Sequence, residues 1–169
     1  EGPAFSIVDL ATGRASPQER VPSARYRLAV THDRVAMGNQ AGQVDVWWLT
    51  PDGRATPSWT LATGPEVVMA VALSPDGRTL ASGAYDGRVQ LWDLETGAEL
   101  LSMRVHDQPV ADLAFSPDGA RLLSAGNGLG VLELDLAQRL DELLPAMVPG
   151  GPTGPLPERL RDLGEASLL

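Results

Sequence analysis

A short segment that recurs at a fixed distance constrains the fold of this chain more than any other feature. Ser74-Pro75-Asp76-Gly77 returns as Ser116-Pro117-Asp118-Gly119, 42 positions later. The flanking residues match at the same spacing: Ala72 with Ala114, Leu80 with Leu122, and Asp93-Leu94 with Asp135-Leu136. A period of this length indicates structural units that stack on their neighbours, because one such unit cannot bury its own apolar faces.

Two weaker copies of the repeat lie upstream. Trp47, in the segment QVDVWWL, precedes Trp92, in RVQLWDL, by 45 residues. The segment FSIVDLATGRA, which starts at Phe5, is similar to VQLWDLETGAE. The repetition therefore extends over residues 5–136.

Short apolar runs separated by tight turns predict that each unit is a small antiparallel sheet. The segments VMAVAL and VADLAF have the length and composition of strands buried on both faces. Pro-Asp-Gly combines a fixed φ with a glycine that accepts positive φ, and Asp86-Gly87 is a second hairpin signal. Gly and Pro number 18 and 14 of the 169 residues, above their average usage of about 7 and 5 per cent. The sequence thus predicts an all-β fold.

The period of 42 to 45 residues, the SPDG turns and the strand that ends in Trp92-Asp93 resemble a WD40 β-propeller. The resemblance implies a ring of four-stranded sheets, the blades. Strand counting predicts full blades over 26–63 and 67–105, three strands over 110–136, and the edge of another blade from 5–10 and 20–23. We expect about three blades plus the edge of a fourth, part of a larger ring of about seven.

Three segments are expected along the chain. Residues 5–136 form the WD40 repeats as a partial propeller. Residues 137–157 form a helix and linker rich in Pro and Gly, and residues 158–169 form a short C-terminal helix or a mobile tail. Because the chain begins with Glu1 rather than Met, we expect a piece of a longer polypeptide, whose ring is completed by upstream sequence, a separate chain or an oligomer partner.

The resemblance also implies a structural hydrogen-bond network of His, Ser or Thr, Asp and Trp within each repeat. The matching positions in the last two repeats are Ser82, Asp86, Trp92, His106 and Ser124. In the repeat of Trp47, Met37 and Ala41 replace the Ser and the Asp. Because no repeat has the whole network, we expect these blades to depend more on apolar packing.

Two features of the Trp47 repeat carry separate predictions. Trp47 and Trp48 point to opposite faces of one strand, so one is expected in the core and the other at a blade interface. His32-Asp33-Arg34 takes the place of the SPDG turn and is predicted to be a surface turn.

Charge and composition exclude several kinds of site. Lys and Arg number 13 against 22 Asp and Glu, a net charge of −9, which argues against binding nucleic-acid backbones or anionic membranes. The chain has no Cys and two His, so we expect no metal and no cofactor. There is no apolar run of about 18 residues and no signal peptide, and we expect a cytoplasmic location.

The residues that suggest catalysis have simpler explanations. His106-Asp107 with Ser124 could be a nucleophile and its base, but the Gly-x-Ser-x-Gly turn is absent. Gly126-Asn127-Gly128-Leu129-Gly130 is similar to a nucleotide-binding loop, yet it lies between two predicted strands rather than before a helix. We therefore predict that the chain is not an enzyme.

Three functions follow as hypotheses. The first is a non-catalytic WD40 protein-interaction or scaffold module that binds a protein or peptide. By fold analogy, its contact loops would lie at one end of the ring, at Gln40, Glu66, Tyr85, Gln108 and Asn127.

The second hypothesis uses composition. Abundant Ala, Gly, Arg, Leu and Pro with few Lys suggests a bacterial source. The chain would then be the sensor or regulatory half of a multidomain signalling or defence effector, separated from a caspase-like protease or serine/threonine kinase. The third hypothesis is a propeller enzyme that uses the central channel.

Overall fold

The structure is a computed structural model, and it describes residues 4–6, 8, 15, 18–20, 27–50, 54–128 and 130–136. The predicted segments 137–157 and 158–169 lie outside these residues. Thirteen strands lie within them: β1 Ala4–Phe5, β2 Glu19–Arg20, β3 Arg27–Val30, β4 Arg34–Gly38, β5 Gln43–Leu49, β6 Ala55–Ala62, β7 Val68–Leu73, β8 Thr79–Ala84, β9 Arg88–Asp93, β10 Glu99–Arg104, β11 Val110–Phe115, β12 Arg121–Gly126 and β13 Val131–Asp135.

The strands form antiparallel sheets in which neighbours along the chain are hydrogen-bonded neighbours. The first sheet has the order β3-β4-β5-β6, the second is formed by β7 to β10, and the third has the order β11-β12-β13. The all-β prediction and the three predicted blades are confirmed, including the three strands of the last. β1 pairs with β2 within the predicted edge of a further blade, and most of the other residues of the expected strands 5–10 and 20–23 lie outside the described residues.

The SPDG segment forms a turn held by its own side chains. Ser74 Oγ donates a hydrogen bond to Asp76 Oδ1 over 2.6 Å and accepts one from the amide of Thr79 over 2.9 Å. Gly77 has a φ of 69°, a left-handed conformation that a side chain would strain. The turn at Ser116 repeats these bonds. The recurring sequence therefore fixes the link between the first and second strands of two successive sheets.

Two large apolar clusters lie between neighbouring sheets. One cluster joins the first and second sheets and consists of Ala36, Val44, Val46, Leu61, Val68, Val71, Leu80, Trp92 and Leu94. Another joins the second and third sheets and consists of Ala70, Ala72, Ala81, Val89, Leu91, Val110, Leu113, Leu122, Leu134 and Leu136. The second sheet is covered on both faces, and its first strand, β7, is apolar throughout.

Two glycines allow the sheets to approach each other. Gly38 is the last residue of β4 in the first sheet, and Gly83 is the penultimate residue of β8 in the second. A Cβ atom at Gly83 would lie 2.5 Å from Val110 Cγ1 in the third sheet, and one at Gly38 would overlap Val68 in the second. Each sheet thus meets the first strand of the next sheet at a position without a side chain.

The two outermost faces of this stack carry exposed apolar side chains. On the first sheet, Leu28 is 61% exposed and Val30 is also exposed. On the third sheet, Val131 is 69% exposed and Leu123 is 42% exposed. The outer face of the first sheet is exposed only in part, because Met37 and Val35, opposite Leu28 and Val30 on β4, are buried.

Candidate interaction surface

The predicted contact loops lie together at one end of the three sheets. They follow the second strand of each sheet or enter the first strand of the next. The amide of Thr63, before the loop with Glu66, donates to the carbonyl of Gly42, beside Gln40. The side chains at this end that we predicted as contacts are all exposed: Gln40, Glu66, Tyr85, Gln108 and Asn127.

Backbone hydrogen bonds hold the neighbouring loops to one another. The amide of Tyr85 donates to the carbonyl of Val67 over 3.0 Å, and the amide of Asn127 donates to the carbonyl of Pro109 over 2.9 Å. Each bond joins a loop after a second strand to the segment that leads into the first strand of the same sheet. The loops therefore present their exposed side chains from a hydrogen-bonded frame.

Ser82 and Trp92 form a buried pair inside the second sheet. Trp92 Nε1 donates to Ser82 Oγ over 3.0 Å, and both residues are buried. Asp86 does not join them: its Oδ1 accepts the amide of Arg88, and its Oδ2 lies 3.7 Å from Arg88 Nε. Asp86 therefore shapes its own turn.

His106 and Ser124 form the equivalent pair in the third sheet. His106 Nε2 lies 2.8 Å from Ser124 Oγ, and Ser124 is fully buried. Burial lowers the pKa of His106, although the hydrogen bond with Ser124 and the charge of Asp107 act against it. The five residues matched to the structural network are thus arranged as two separate pairs and one turn carboxylate.

The Trp47 repeat packs in a different way. Trp47 is buried in a cluster with Val35, Met37 and Ala55, so an apolar cluster occupies the position of the Ser–Trp pair. Trp48 lies on the opposite face and is 40% exposed. The alternation predicted for these two tryptophans is present.

Arg34 is the residue that sequence reasoning missed. It was expected in a surface turn, but it is only 6% exposed. Its guanidinium lies 3.4 Å from the centre of the Trp48 ring, and its Nε donates to the carbonyl of Gly77 in the second sheet. The turn that precedes Arg34 is shorter than the SPDG turn and contains no glycine. This difference was the sequence signal that Arg34 is not placed like the residues of an SPDG turn.

No group of three or more His, Cys, Asp or Glu in the described part of the chain is placed to hold a metal ion. Within the same residues, no helix is long and apolar enough to cross a membrane.

Comparison with protein families agrees with the sheet arrangement. The family model described as "WD domain, G-beta repeat" matches residues 56–93 and 97–129. The chain carries WD40 repeats. The first matched WD40 repeat begins in β6 of the first sheet and ends with β9 of the second. Each repeat in the sequence therefore connects two neighbouring blades, and the stack is an incomplete WD40 propeller.

Curated relatives match parts of this WD40 chain. Coronin-7 of Mus musculus is 34% identical over 94 residues, which are 53% of this chain and 10% of Coronin-7. The Schizosaccharomyces pombe small ribosomal subunit protein RACK1 is 36% identical over 92 residues, 54% of this chain and 29% of the relative. The Schizosaccharomyces pombe pre-rRNA-processing protein crb3/ipi3 is 41% identical over 63 residues, 37% and 14% of the two chains.

The chain spans less than a third of the length of each of these relatives, and all three are eukaryotic. Nothing in these matches supports the alternative of a bacterial effector half.

Solved structures match over more of the WD40 chain. A chain of the mitotic checkpoint complex has a TM-score of 0.67 at 22% identity, covering 79% of this chain and 41% of that one. The computationally designed Ika8 protein has a TM-score of 0.68 at 23% identity, covering 79% and 40%. At this identity the likeness shows the fold alone.

Proposed function

We propose that this chain is a non-catalytic protein-interaction module whose contact surface is the loop end defined above. The observation that carries the proposal is the row of exposed loop side chains on a hydrogen-bonded frame, with rigid sheets behind it. Propeller loops with such a frame can bind a partner with little ordering of their own backbone, which keeps the entropic cost of association low. One relative, RACK1, is a small ribosomal subunit protein.

The proposal includes the kind of partner. A protein or peptide fits an acidic chain, whereas nucleic acid and anionic membranes would be repelled by its charge of −9. A second partner is the segment or chain that completes the ring beside the exposed faces of the first and third sheets. We also propose the division into residues 5–136, 137–157 and 158–169. The same proposal includes a bacterial source, a signalling role and a cytoplasmic location for the protein.

Photo-crosslinking tests the loop end directly. Tyr85 is replaced by a photoreactive phenylalanine derivative, which preserves its aromatic ring, in the full protein expressed in its native source. The matched control carries the same group at Asp118, an exposed position in the turn at the other end of the strands. We expect a discrete protein adduct, identified by mass spectrometry, from position 85 and not from position 118. Equal adducts from both positions, or none from position 85, would contradict the proposed surface.

A further inference from the structure

A groove lies between the first and second sheets at the end opposite the contact loops. Arg34 begins β4, whereas the loop with Gln40 follows the end of the same strand. The groove has a volume of about 360 Å³, within the range of about 300–1,000 Å³ typical of ligand sites. Its lining residues are Arg34, Trp48, Ser58 and Trp59 from the first sheet and Arg78, Leu94 and Glu95 from the second.

The two sheets are fastened to each other around this groove. Trp59 Nε1 donates to the carbonyl of Leu94 over 2.9 Å, and Arg34 Nε donates to the carbonyl of Gly77. A Cβ atom at Gly97 would lie within 3 Å of the Trp59 ring. The groove walls are therefore positioned by contacts between sheets rather than by one loop.

Arg34 has a buried nitrogen that no described residue pairs with. The residue is 6% exposed, and its Nη1 is buried with no hydrogen-bond partner among the described residues. A buried guanidinium whose donors are not all used carries a desolvation cost that an anionic acceptor would offset.

The other groups in the groove favour an anion. Arg78 adds a second positive charge on the exposed rim, against one carboxylate, that of Glu95. The groove is thus locally cationic on a chain of net charge −9.

The pair of Arg34 and Trp48 in the first sheet is replaced by other residues at the equivalent positions of the second sheet. Arg34 is opposite Trp48 across β4 and β5, and Thr79 is opposite Asp93 across β8 and β9. The first sheet therefore has an arginine stacked on an indole where the second sheet has a threonine and a carboxylate.

We propose that this groove binds an acidic segment of a partner protein. A carboxylate side chain would pair with Arg34 and Arg78, and a neighbouring apolar side chain would pack against Trp48 and Trp59. The two indoles offer apolar surface beside the charge, a combination that selects a peptide over a small anion. This inference rests on the proposed function, since it adds a second surface to the same interaction module.

Peptide pools test the groove. The probe is a pool of acetylated, amidated peptides with a central Glu flanked by Leu, Val, Ile, Phe or Ala, and the matched pool has Gln in place of Glu. Binding to the full chain is followed through the indole N–H resonances of Trp48 and Trp59. We expect the Glu pool to shift both resonances and the Gln pool to bind at least about tenfold more weakly, as for a hydrogen bond to a charged group.

Substitutions in the groove distinguish a loss of peptide binding from a general loss of the fold. Arg34→Thr with Trp48→Asp installs the pair found in the second sheet. The Trp59 resonance is then the readout, and its response to the Glu pool should be abolished. Arg78→Ala changes an exposed side chain and should weaken binding severalfold, whereas Glu95→Gln removes a competing acid and should strengthen it. The photoreactive variant at Tyr85 should bind the pool as the unaltered chain does.

Three results would overturn the inference: equal responses to the Glu and Gln pools, no response to either, or the same shifts with acetate or phosphate alone. The last result would identify a small-anion site instead. Loss of the Glu response with crosslinking at position 85 intact would reject the groove alone. Absent crosslinking with a groove response that depends on Arg34 would reject the loop end alone.

Discussion

Single residues set how closely neighbouring sheets pack. Gly83 lies near the end of β8, where the adjacent residue across the interface is the fully buried Val110. Val110 is β-branched and therefore has few alternative rotamers with which to make room. His106 fills a comparable space in the third sheet, because a Cβ atom at Gly126 would lie 2.8 Å from His106 Nδ1. The packing at these positions depends on the absence of one methyl group.

Replacing Gly83 with Ala is expected to destabilise the protein by about 1–3 kcal/mol, the usual cost of adding atoms to a packed interior. The added Cβ would lie 2.5 Å from Val110 Cγ1, so the second and third sheets would have to separate. Denaturant unfolding measures the change in free energy. Gly130→Ala is the control, since a Cβ there meets nothing within 4 Å. Equal effects of both substitutions would contradict the argument.

The protonation of His106 should make stability depend on pH. Burial lowers its pKa in the folded chain below the value of about 6.5 for an unperturbed imidazole. The unfolded chain therefore binds the proton more readily, and the contribution of His106 is complete above about pH 6.5 and is lost as the pH falls through the folded pKa. We expect unfolding midpoints between pH 5 and 7.5 to rise with pH, and His106→Asn to flatten this rise. An unchanged slope in the variant would show that other groups cause it.

Sequence alone identified some of these residues and not others. The resemblance to WD40 repeats implied a network that includes Ser82, Trp92, His106 and Ser124. The burial of Arg34 could not be predicted, because its partners, Trp48 and the carbonyl of Gly77, come from another strand and another sheet. The close packing of Gly83 could not be predicted either, because its neighbour Val110 is distant in the chain.

At the scale of strands and sheets, residues at equivalent positions on the second and third strands make different contacts in each sheet. The first sheet uses an apolar cluster that contains Met37 and Trp47. In the second, the indole of Trp92 on β9 donates to Ser82 on β8. In the third, Leu134 occupies the place of the tryptophan and Ser124 bonds to His106 instead. The apolar packing is common to all three sheets, and the polar bonds vary.

The bond between β8 and β9 can be measured by a double-mutant cycle. Trp92→Phe removes the donor and leaves the buried Ser82 Oγ without its partner, at an expected cost of about 1–3 kcal/mol in addition to the lost apolar contacts. Adding Ser82→Ala to the Trp92→Phe variant should lower the free energy of unfolding little further, because the hydroxyl group without a partner is then absent. Denaturant unfolding of both single variants and the double variant gives the coupling energy. Strictly additive effects would mean that the bond contributes nothing to pairing of the two strands.

Strand positions were largely predictable because their signals are local. The alternation of apolar runs with SPDG and Asp-Gly turns placed the strands of the second sheet within a few residues of their observed ends. The edge predicted over 5–10 and 20–23 is described in part, by β1 Ala4–Phe5 and β2 Glu19–Arg20. Most of the other residues of these two ranges lie outside the described residues, so the length of these strands stays a prediction.

At the scale of the whole molecule, the stack has two different apolar ends. Leu28 is exposed on the outer face of the first sheet, and Leu123 is exposed on the outer face of the third. In the interior of the stack the equivalent faces are covered by the next sheet. When two unlike faces bind each other, the contact is head to tail, and such contacts give rings or open chains rather than a symmetric face-to-face dimer.

We therefore expect the isolated chain to associate through contact of the first sheet of one copy with the third sheet of another. Light scattering should give a mass above 17.9 kDa that rises with concentration. Leu28→Lys and Leu123→Lys each place a charge on one of the two faces and should each return the chain to a monomer. A mixture of the two variants retains one intact pair of faces, the third sheet of the first variant and the first sheet of the second, and should form dimers and nothing larger. A mixture that remains monomeric would show that the two faces do not recognise each other, and a lone chain of 17.9 kDa at every concentration would show that neither face drives association.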